Sequence, residues 1–181
     1  AVNGAVFFPN GGYVSDPKLS AQNAQQAAMA AGAEFRFNTE VTEIKQENGK
    51  VVGVTLSDGS RINAPVVVNV AGPHSFVINE MAGVTDGMNI NTRALRHEVA
   101  HVPAPKGMDF ERDGFIYSDS DIHTYARPET GNHILIGSED PACDPQDWVE
   151  NPDVFDANLS EQSKIMTMRL AQRFTGLGIP E

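Results

Sequence analysis

The fold class of this chain is indicated first by one apolar run, Ala64-Pro65-Val66-Val67-Val68-Asn69-Val70-Ala71-Gly72-Pro73-His74-Ser75. Four valines with few polar groups predict a strand buried on both faces of a parallel sheet. Small residues follow directly, and Ala71-Gly72 lets another backbone or a ligand approach closely. Ligands of open α/β sheets lie at the carboxyl ends of strands, so the run favours one wall of a dinucleotide site. Taken alone, the run is more typical of an ordinary buried strand followed by a tight turn.

A helix and a β-meander are predicted ahead of this run. Ser15-Asp16-Pro17 offers a helix N-cap with proline in the first turn, and Gly32 ends the Ala- and Gln-rich stretch 18–31. Asn48-Gly49 and Ser57-Asp58-Gly59-Ser60 are favoured tight-turn sequences, which predict a β-meander. The predicted strands in this part of the chain are residues 34–37, 41–44, 51–56 and 61–63.

Strands dominate the second half. β-Branched and aromatic residues predict an antiparallel sheet, followed by an amphipathic helix over residues 160–175. The strands are residues 92–102, 114–118, 122–127 and 133–138, and the expected apolar helix face is Ile165, Met168, Leu170, Ala171 and Phe174. A helix over 75–82 and a connection over 83–91 precede this sheet. The fold class is therefore α+β, with an α/β fragment ahead of an antiparallel sheet.

Composition excludes several classes of protein. The 181 residues carry a formal charge of −11 and a pI near 4.8, which disfavours a nucleic-acid partner because a polyanion is repelled. Cys143 is the single cysteine and has no assignable base, so it is interpreted as a loop thiol. Neither a signal-peptide pattern nor a membrane-spanning apolar run occurs in the sequence, so a cytoplasmic location and no membrane partner are expected.

The order of these motifs resembles the D-amino-acid oxidase, sarcosine oxidase and dimethylglycine dehydrogenase family of flavoenzymes, over roughly residues 7–140. The motifs that carry the resemblance are Gly11-Gly12-Tyr13-Val14-Ser15-Asp16-Pro17, Ala31-Gly32-Ala33, Asn38-Thr39-Glu40-Val41, the turns at Gly49 and Asp58-Gly59, Val68-Asn69-Val70-Ala71-Gly72-Pro73-His74-Ser75, Arg96-His97-Glu98, Tyr125-Ala126-Arg127-Pro128-Glu129-Thr130-Gly131 and Ile134-Leu135-Ile136-Gly137-Ser138-Glu139.

The resemblance implies FAD as cofactor and a division into two lobes. Residues 1–85 would form a partial FAD-binding lobe, and residues 86–181 a substrate-binding lobe with a C-terminal helix. The family's Gly-x-Gly-x-x-Gly turn, whose helix holds the pyrophosphate, is not found in the sequence, nor is its C-terminal flavin loop. The expectation is therefore an internal fragment, inactive by itself, that needs further chain segments to complete the FAD site.

The resemblance places the catalytic candidates on the predicted hairpin. Tyr125 lies where a pocket tyrosine faces the substrate, and Arg127 would share its face of the strand and pair bidentately with a substrate carboxylate. The alternative for Arg127 is an ion pair with a neighbouring acid such as Glu129 or Asp140. Glu139, where some relatives carry histidine, would bind a substrate amine or cap the following loop.

The remaining candidates are assigned to the cofactor and to the entrance of the substrate lobe. Val41 lies where the family's chain passes the adenine, with core packing as its alternative, and Ala71 and Gly72 lie near the pyrophosphate and ribose. His97 is a candidate for substrate binding, with an ordinary structural histidine as its alternative. His97 and His101 would share a strand face, but no further ligands complete a set, so no metal is expected.

The function predicted is oxidation of a small amine or amino acid, of the sarcosine, dimethylglycine or D-amino-acid type, by hydride transfer to FAD. Two alternatives stay open. One is a glycerol-3-phosphate or 2-hydroxy-acid dehydrogenase of the same architecture, and the other is a non-catalytic binding module.

Overall fold

The computed structural model describes residue 2 and residues 4–179, which fall into two compact units built from separated segments. The meander unit comprises Ala24–Arg96 and Asp147–Asp156. The sheet unit comprises the residues up to Asn23, His97–Gln146, and the residues from Ala157 onward. The lobe boundary expected between residues 85 and 86 stays a prediction.

The β-meander is confirmed. Strands β1 (Val41–Glu47), β2 (Lys50–Leu56) and β3 (Arg61–Asn63) pair antiparallel in that order. Asn48 and Gly49 have φ of 51° and 74°, the left-handed values that a tight hairpin turn requires at both central residues. Ile44 and Leu56 are buried, so the meander turns one face inward.

The buried parallel strand expected at Val66–Val70 is wrong. No strand of the described residues pairs with residues 66–70, and Val66, Val68 and Val70 are 70, 74 and 85% exposed. The strand expected at residues 34–37 is also absent there, and Phe35 and Phe37 are exposed. A strand needs a hydrogen-bonding neighbour, and residues 2 and 4–179 supply none to either segment. The residue preferences of these two segments therefore predicted strands, but they did not show whether a neighbouring strand was present to pair with them.

The helix after this run and a small two-stranded sheet lie in the meander unit, whereas the helix ahead of the run is divided between the two units after Asn23. The turn Gly72–His74 leads into α2 (Ser75–Met81), which confirms the helix predicted here. Further along, β4 (Ala94–Arg96) pairs antiparallel with β9 (Asp147–Val149), a strand that the polar sequence around it did not predict. Helix α1 (Pro17–Ala30) follows the expected N-cap, since Asp16 Oδ1 accepts a 2.8 Å hydrogen bond from the Leu19 amide. None of its residues is buried.

The antiparallel sheet of the second half is confirmed, with strand order β5-β8-β7-β6. Its strands are β5 (Val99–Pro103), β6 (Tyr117–Asp119), β7 (Thr124–Glu129) and β8 (His133–Ser138). The long strand predicted over 92–102 is instead two, because the chain leaves β4 at Arg96 and begins β5 at Val99. A short helix, α3 (Phe110–Asp113), was not predicted.

The core of the sheet unit lies between one face of this sheet and helix α4 (Glu161–Ala171). Ala126, Ile134, Ile136, Met166 and Leu170 are at most 1% exposed. Alternation along β7 and β8 puts their other residues on the opposite face of the sheet, which α4 leaves open.

The helix face expected for α4 needs one correction. Met168 is 52% exposed, whereas Met166 and Thr167 are buried. At 100° per residue, the positions that share a face with Leu170 are 163, 166, 167 and 174, so Met168 points away. Ser160 caps the helix, because its side chain accepts a hydrogen bond from the Gln162 amide.

Ion pairs fasten α4 and the turn that follows it to the sheet. Asp144 accepts from both Nη atoms of Arg169, at 2.5 and 2.7 Å, and also from Ser138 and Gln162. Arg173 Nε donates to Asp119 at 2.8 Å.

Burial, followed by the hydrogen bond to Asp119, raises the pKa of Tyr117 to about 12. Tyr117 therefore stays neutral across the physiological range.

Candidate functional site

The candidates of the sheet unit lie on the open face of the sheet or at one end of it. Tyr125 and Arg127 alternate on β7 with Thr124 and Ala126, which face the core. Glu139 follows β8, and its carboxylate accepts a hydrogen bond from Ser118 Oγ. Ser118 is directly opposite Tyr125 in the β6–β7 ladder. Tyr125 and Glu139 are thus brought together through Ser118.

Arg127 forms the ion pair with Glu129 that was the alternative to binding a substrate. Its Nη2 lies 3.0 Å from Glu129 Oε2, and its Nη1 donates to the Pro128 carbonyl at 3.0 Å. The guanidinium carbon also lies 5.1 Å from the centre of the Tyr13 ring, a cation–π distance. The Thr130 amide, followed by Arg127, lowers the pKa of Glu129, so the pair is charged at neutral pH. A substrate carboxylate would have to displace Glu129 or share the guanidinium with it.

His97 lies outside the ladder of β5. Its Nε2 is 3.0 Å from Asp140 Oδ2, at the end of the sheet where Glu139 lies. His101 is on β5 opposite Leu135, which in turn is opposite Arg127. Within residues 2 and 4–179, no group of three or more His, Cys, Asp or Glu side chains is arranged to hold a metal ion.

The cofactor candidates belong to the meander unit. Val41 begins β1 opposite Leu56 and is half-buried. The Ala71 amide donates to Asn69 Oδ1 at 3.1 Å, and Asn69 Nδ2 donates to the Ser75 carbonyl and to Asn79 Oδ1. The sequence analysis did not single out Asn69. An asparagine among valines nevertheless indicates that its side chain forms specific hydrogen bonds with nearby residues.

The turn at Ala71-Gly72 has an accessible backbone. Gly72 has φ of 56°, and a Cβ placed there would meet no atom within 4 Å, so its backbone stands free of side chains. A ribose or diphosphate can approach such a backbone closely. The assignment of Val41, Ala71 and Gly72 to part of an FAD site stays a prediction.

A separate groove of about 650 Å³ lies in the meander unit, between α2 and the β4–β9 pair. Its wall includes Trp148, over whose ring the Arg93 guanidinium lies at 4.1 Å. None of the residues predicted from the sequence to form a site lines this groove. None of the helices in the described part of the chain has the length and apolarity to cross a membrane.

Two solved structures share the fold of this chain. L-proline dehydrogenase from P. horikoshii superposes with a TM-score of 0.67 at 19% identity, over 90% of this chain and 41% of that one. Glycine oxidase from Bacillus cereus ATCC 14579 superposes with a TM-score of 0.57 at 24% identity, over 89% of this chain and 38% of the other.

The sequence comparisons identify the family. A curated glycine oxidase from Geobacillus kaustophilus (strain HTA426) is 29% identical over 143 residues, which are 76% of this chain and 33% of that protein. The chain thus spans about a third of the curated relative's length. The family model described as "DAO: FAD dependent oxidoreductase" matches residues 1–177. The family resemblance stated from the motifs is therefore confirmed, and the chain belongs to the DAO family of FAD-dependent oxidoreductases.

Proposed function

We propose that the protein containing this chain oxidises a small amine or amino acid, with FAD as the hydride acceptor. The observation that carries the proposal is the open sheet face. Tyr125 and Arg127 share this face of β7, and Glu139 lies beside Ser118. The likeness to a protein named glycine oxidase supports an amino acid as the substrate class. When bound, FAD supplies the redox chemistry, so the protein's task is to bind and orient the substrate.

Each side chain has a task that its chemistry permits. Arg127 presents a planar fork of donors that suits a carboxylate, and Tyr125 can add a hydroxyl donor from the same face. Glu139 is held by Ser118 and offers a carboxylate to a substrate ammonium. His97, already paired with Asp140, would lie at the entrance and stabilise the loop after β8.

The substrate class can be tested on the complete polypeptide that includes this sequence, purified with its flavin. Anaerobic addition of glycine, sarcosine, dimethylglycine or proline is expected to bleach the oxidised-flavin absorbance. Bleaching by glycerol phosphate or a 2-hydroxy acid alone would instead indicate the hydroxyl-oxidising alternative. A protein that binds no flavin would support the non-catalytic binding module. The cytoplasmic location and the absence of a nucleic-acid partner stay predictions.

Replacing Arg127 by lysine in that protein is expected to raise the KM for the amino acid roughly tenfold or more, because the bidentate pairing is lost. Glu129→Gln is the matched variant, since it removes the carboxylate that competes for the same guanidinium. Its KM should stay equal or fall. Steady-state kinetics of both variants make the measurement, and an unchanged KM in Arg127→Lys would assign Arg127 to sheet structure alone.

A further inference from the structure

Gly137 lies on the open face of the sheet near the end of β8, with a residue of a neighbouring strand on each side. It is opposite Val99 of β5 on one side and opposite Tyr125 of β7 on the other. Gly137 is buried although it belongs to the face that α4 leaves open. Something other than the helix must therefore cover it, and a glycine inside a strand is typical of a place where another group approaches closely.

The group that covers Gly137 is the ring of Tyr125. A Cβ added at residue 137 would lie within 2.5 Å of Tyr125 Cζ, Oη and Cε1. Side chains on strands ordinarily stand roughly perpendicular to the sheet. The Tyr125 ring instead leans sideways across β8, into the space that a side chain at residue 137 would occupy.

This inclination places the Tyr125 hydroxyl over β8. Among the residues that the structure describes, Tyr125 Oη forms no hydrogen bond, and it is not one of the buried side-chain atoms that lack a partner, so it is accessible to a ligand. Arg127 and Leu135 form the adjacent pair on this face, two residues farther along each strand and thus about 7 Å away. Tyr125 and Arg127 therefore lie two residues apart on one face of β7, although the Arg127 guanidinium itself pairs with Glu129.

We propose that Gly137 is a positioning residue for substrate binding, because the absence of its side chain lets the Tyr125 hydroxyl reach the ligand that Arg127 holds. The proposal rests on the proposed function, in that the ligand is the substrate carboxylate. Gly137 touches no substrate itself. It acts through the ring, and any side chain at residue 137 forces the ring to rotate and carries the hydroxyl away.

The substitution Gly137→Ala isolates this effect. The backbone of Gly137 is outside the left-handed region, so alanine meets no conformational penalty there. The three atoms nearest to the added Cβ all belong to the Tyr125 side chain, which can move. Gly178→Ala is the matched control, because a Cβ at residue 178 meets nothing within 4 Å and its φ is also unrestricted.

The ring position is read by fluorine NMR of protein labelled with 3-fluorotyrosine. This sequence holds three tyrosines, and in the complete flavoprotein Tyr125→Phe assigns the signal of interest as the one that disappears. Gly137→Ala should shift that signal and leave the other signals in place, while Gly178→Ala shifts none. If the Tyr125 signal does not move, the proposal is overturned.

The binding role is read from kinetics of the complete flavoprotein. Gly137→Ala should raise the KM for the amino acid about tenfold, the effect of losing one hydrogen bond to a charged group. In a Tyr125→Phe background the same substitution should change KM less than twofold, because the hydroxyl is already gone. An equal rise in KM in both backgrounds would overturn the proposal.

Two further outcomes separate this proposal from the proposed function. If amino acids reduce the flavin and Tyr125→Phe leaves KM unchanged, the positioning role fails and the proposed function stands. If no amine or amino acid reduces the flavin of the native protein, the proposed function fails and the binding role fails with it. Should Gly137→Ala not fold, Gly137→Ala/Tyr125→Leu is expected to recover the native melting temperature, and failure to do so contradicts the clash with Tyr125.

Discussion

Replacing Asp144 by alanine is expected to lower the free energy of unfolding of the sheet unit by about 3–5 kcal/mol, the usual effect of removing one partner from a buried ion pair. The Asp144 side chain is 7% exposed and the Arg169 side chain 19% exposed. Without the carboxylate, the Arg169 guanidinium would remain poorly solvated and without its bidentate partner. Ser138 and Gln162 would lose the same acceptor.

The contribution of Asp144 to the free energy of unfolding should depend on pH between pH 4 and pH 2. Its hydrogen bonds from Arg169 lower its pKa from 3.8 to about 2. A lowered pKa gives stability that is fully present above the unfolded value near pH 4 and is lost as the pH falls towards 2. The part linked to this proton is roughly 2 kcal/mol. The difference between the native chain and Asp144→Ala should therefore narrow between pH 4 and pH 2.

Urea unfolding followed by far-ultraviolet circular dichroism measures this prediction. Trp148, the single tryptophan, belongs to the meander unit, so its fluorescence should respond less than the dichroism. Asp113→Ala is the matched control, because its ion pair with Arg112 lies on the surface and is worth at most about 1 kcal/mol. Equal losses in both variants would show that burial of the Asp144 pair adds nothing.

Leu170→Ala is expected to lower the free energy of unfolding by about 2–5 kcal/mol, because it opens a cavity in the core of the sheet unit. Leu170 is fully buried and belongs to the cluster that includes Ile134, Ile136 and Met166. Met168→Ala, two residues away on the same helix, removes a side chain that is 52% exposed. That control should change stability by no more than about 0.5 kcal/mol.

The same urea titrations compare the two helix variants. A loss in Met168→Ala as large as that in Leu170→Ala would contradict the placement of α4 against the sheet. It would favour the apolar face expected from the sequence, on which Met168 and Leu170 both pack.

Features that depend on neighbouring residues were predictable from the sequence. Asp16 and Ser160 cap their helices, and Asn48-Gly49 makes the hairpin turn of the meander. In each case the deciding interaction spans a few residues, so the local pattern contains the cause. The pairing of β6, β7 and β8 was also predictable, because these strands follow one another through short turns, whereas β5 pairs with β8, which is distant in sequence.

Features that depend on residues distant in the sequence could not be predicted. Residues 66–70 have the composition of a buried strand, yet nothing in that composition specifies a neighbour to pair with. The β9 strand shows the converse, since polar residues around Trp148 pair with β4 some fifty residues earlier. Strand pairing of this kind is decided by tertiary context, which outweighs the preference of the individual residues.

The candidate site was predictable as a set of side chains but not as a set of contacts. Alternation on β7 correctly put Tyr125 and Arg127 on one face, while the competing partners of Arg127 could only be named as alternatives. Tyr13, Ser118 and Gly137 were missed as neighbours of these candidates. A glycine within the apolar strand Ile134-Leu135-Ile136-Gly137 is the signal that could have indicated a close approach.

The exposed valines at residues 66, 68 and 70 have a consequence for handling the chain in solution. They alternate along an uncharged, β-branched segment whose backbone amides and carbonyls are not part of any described ladder. An unpaired segment of this kind can pair with the same segment of a second molecule, and that pair can then add a third molecule. Concentrated samples of the isolated chain should therefore drift towards fibrillar aggregates, and a lysine at residue 68 would act as a gatekeeper against them.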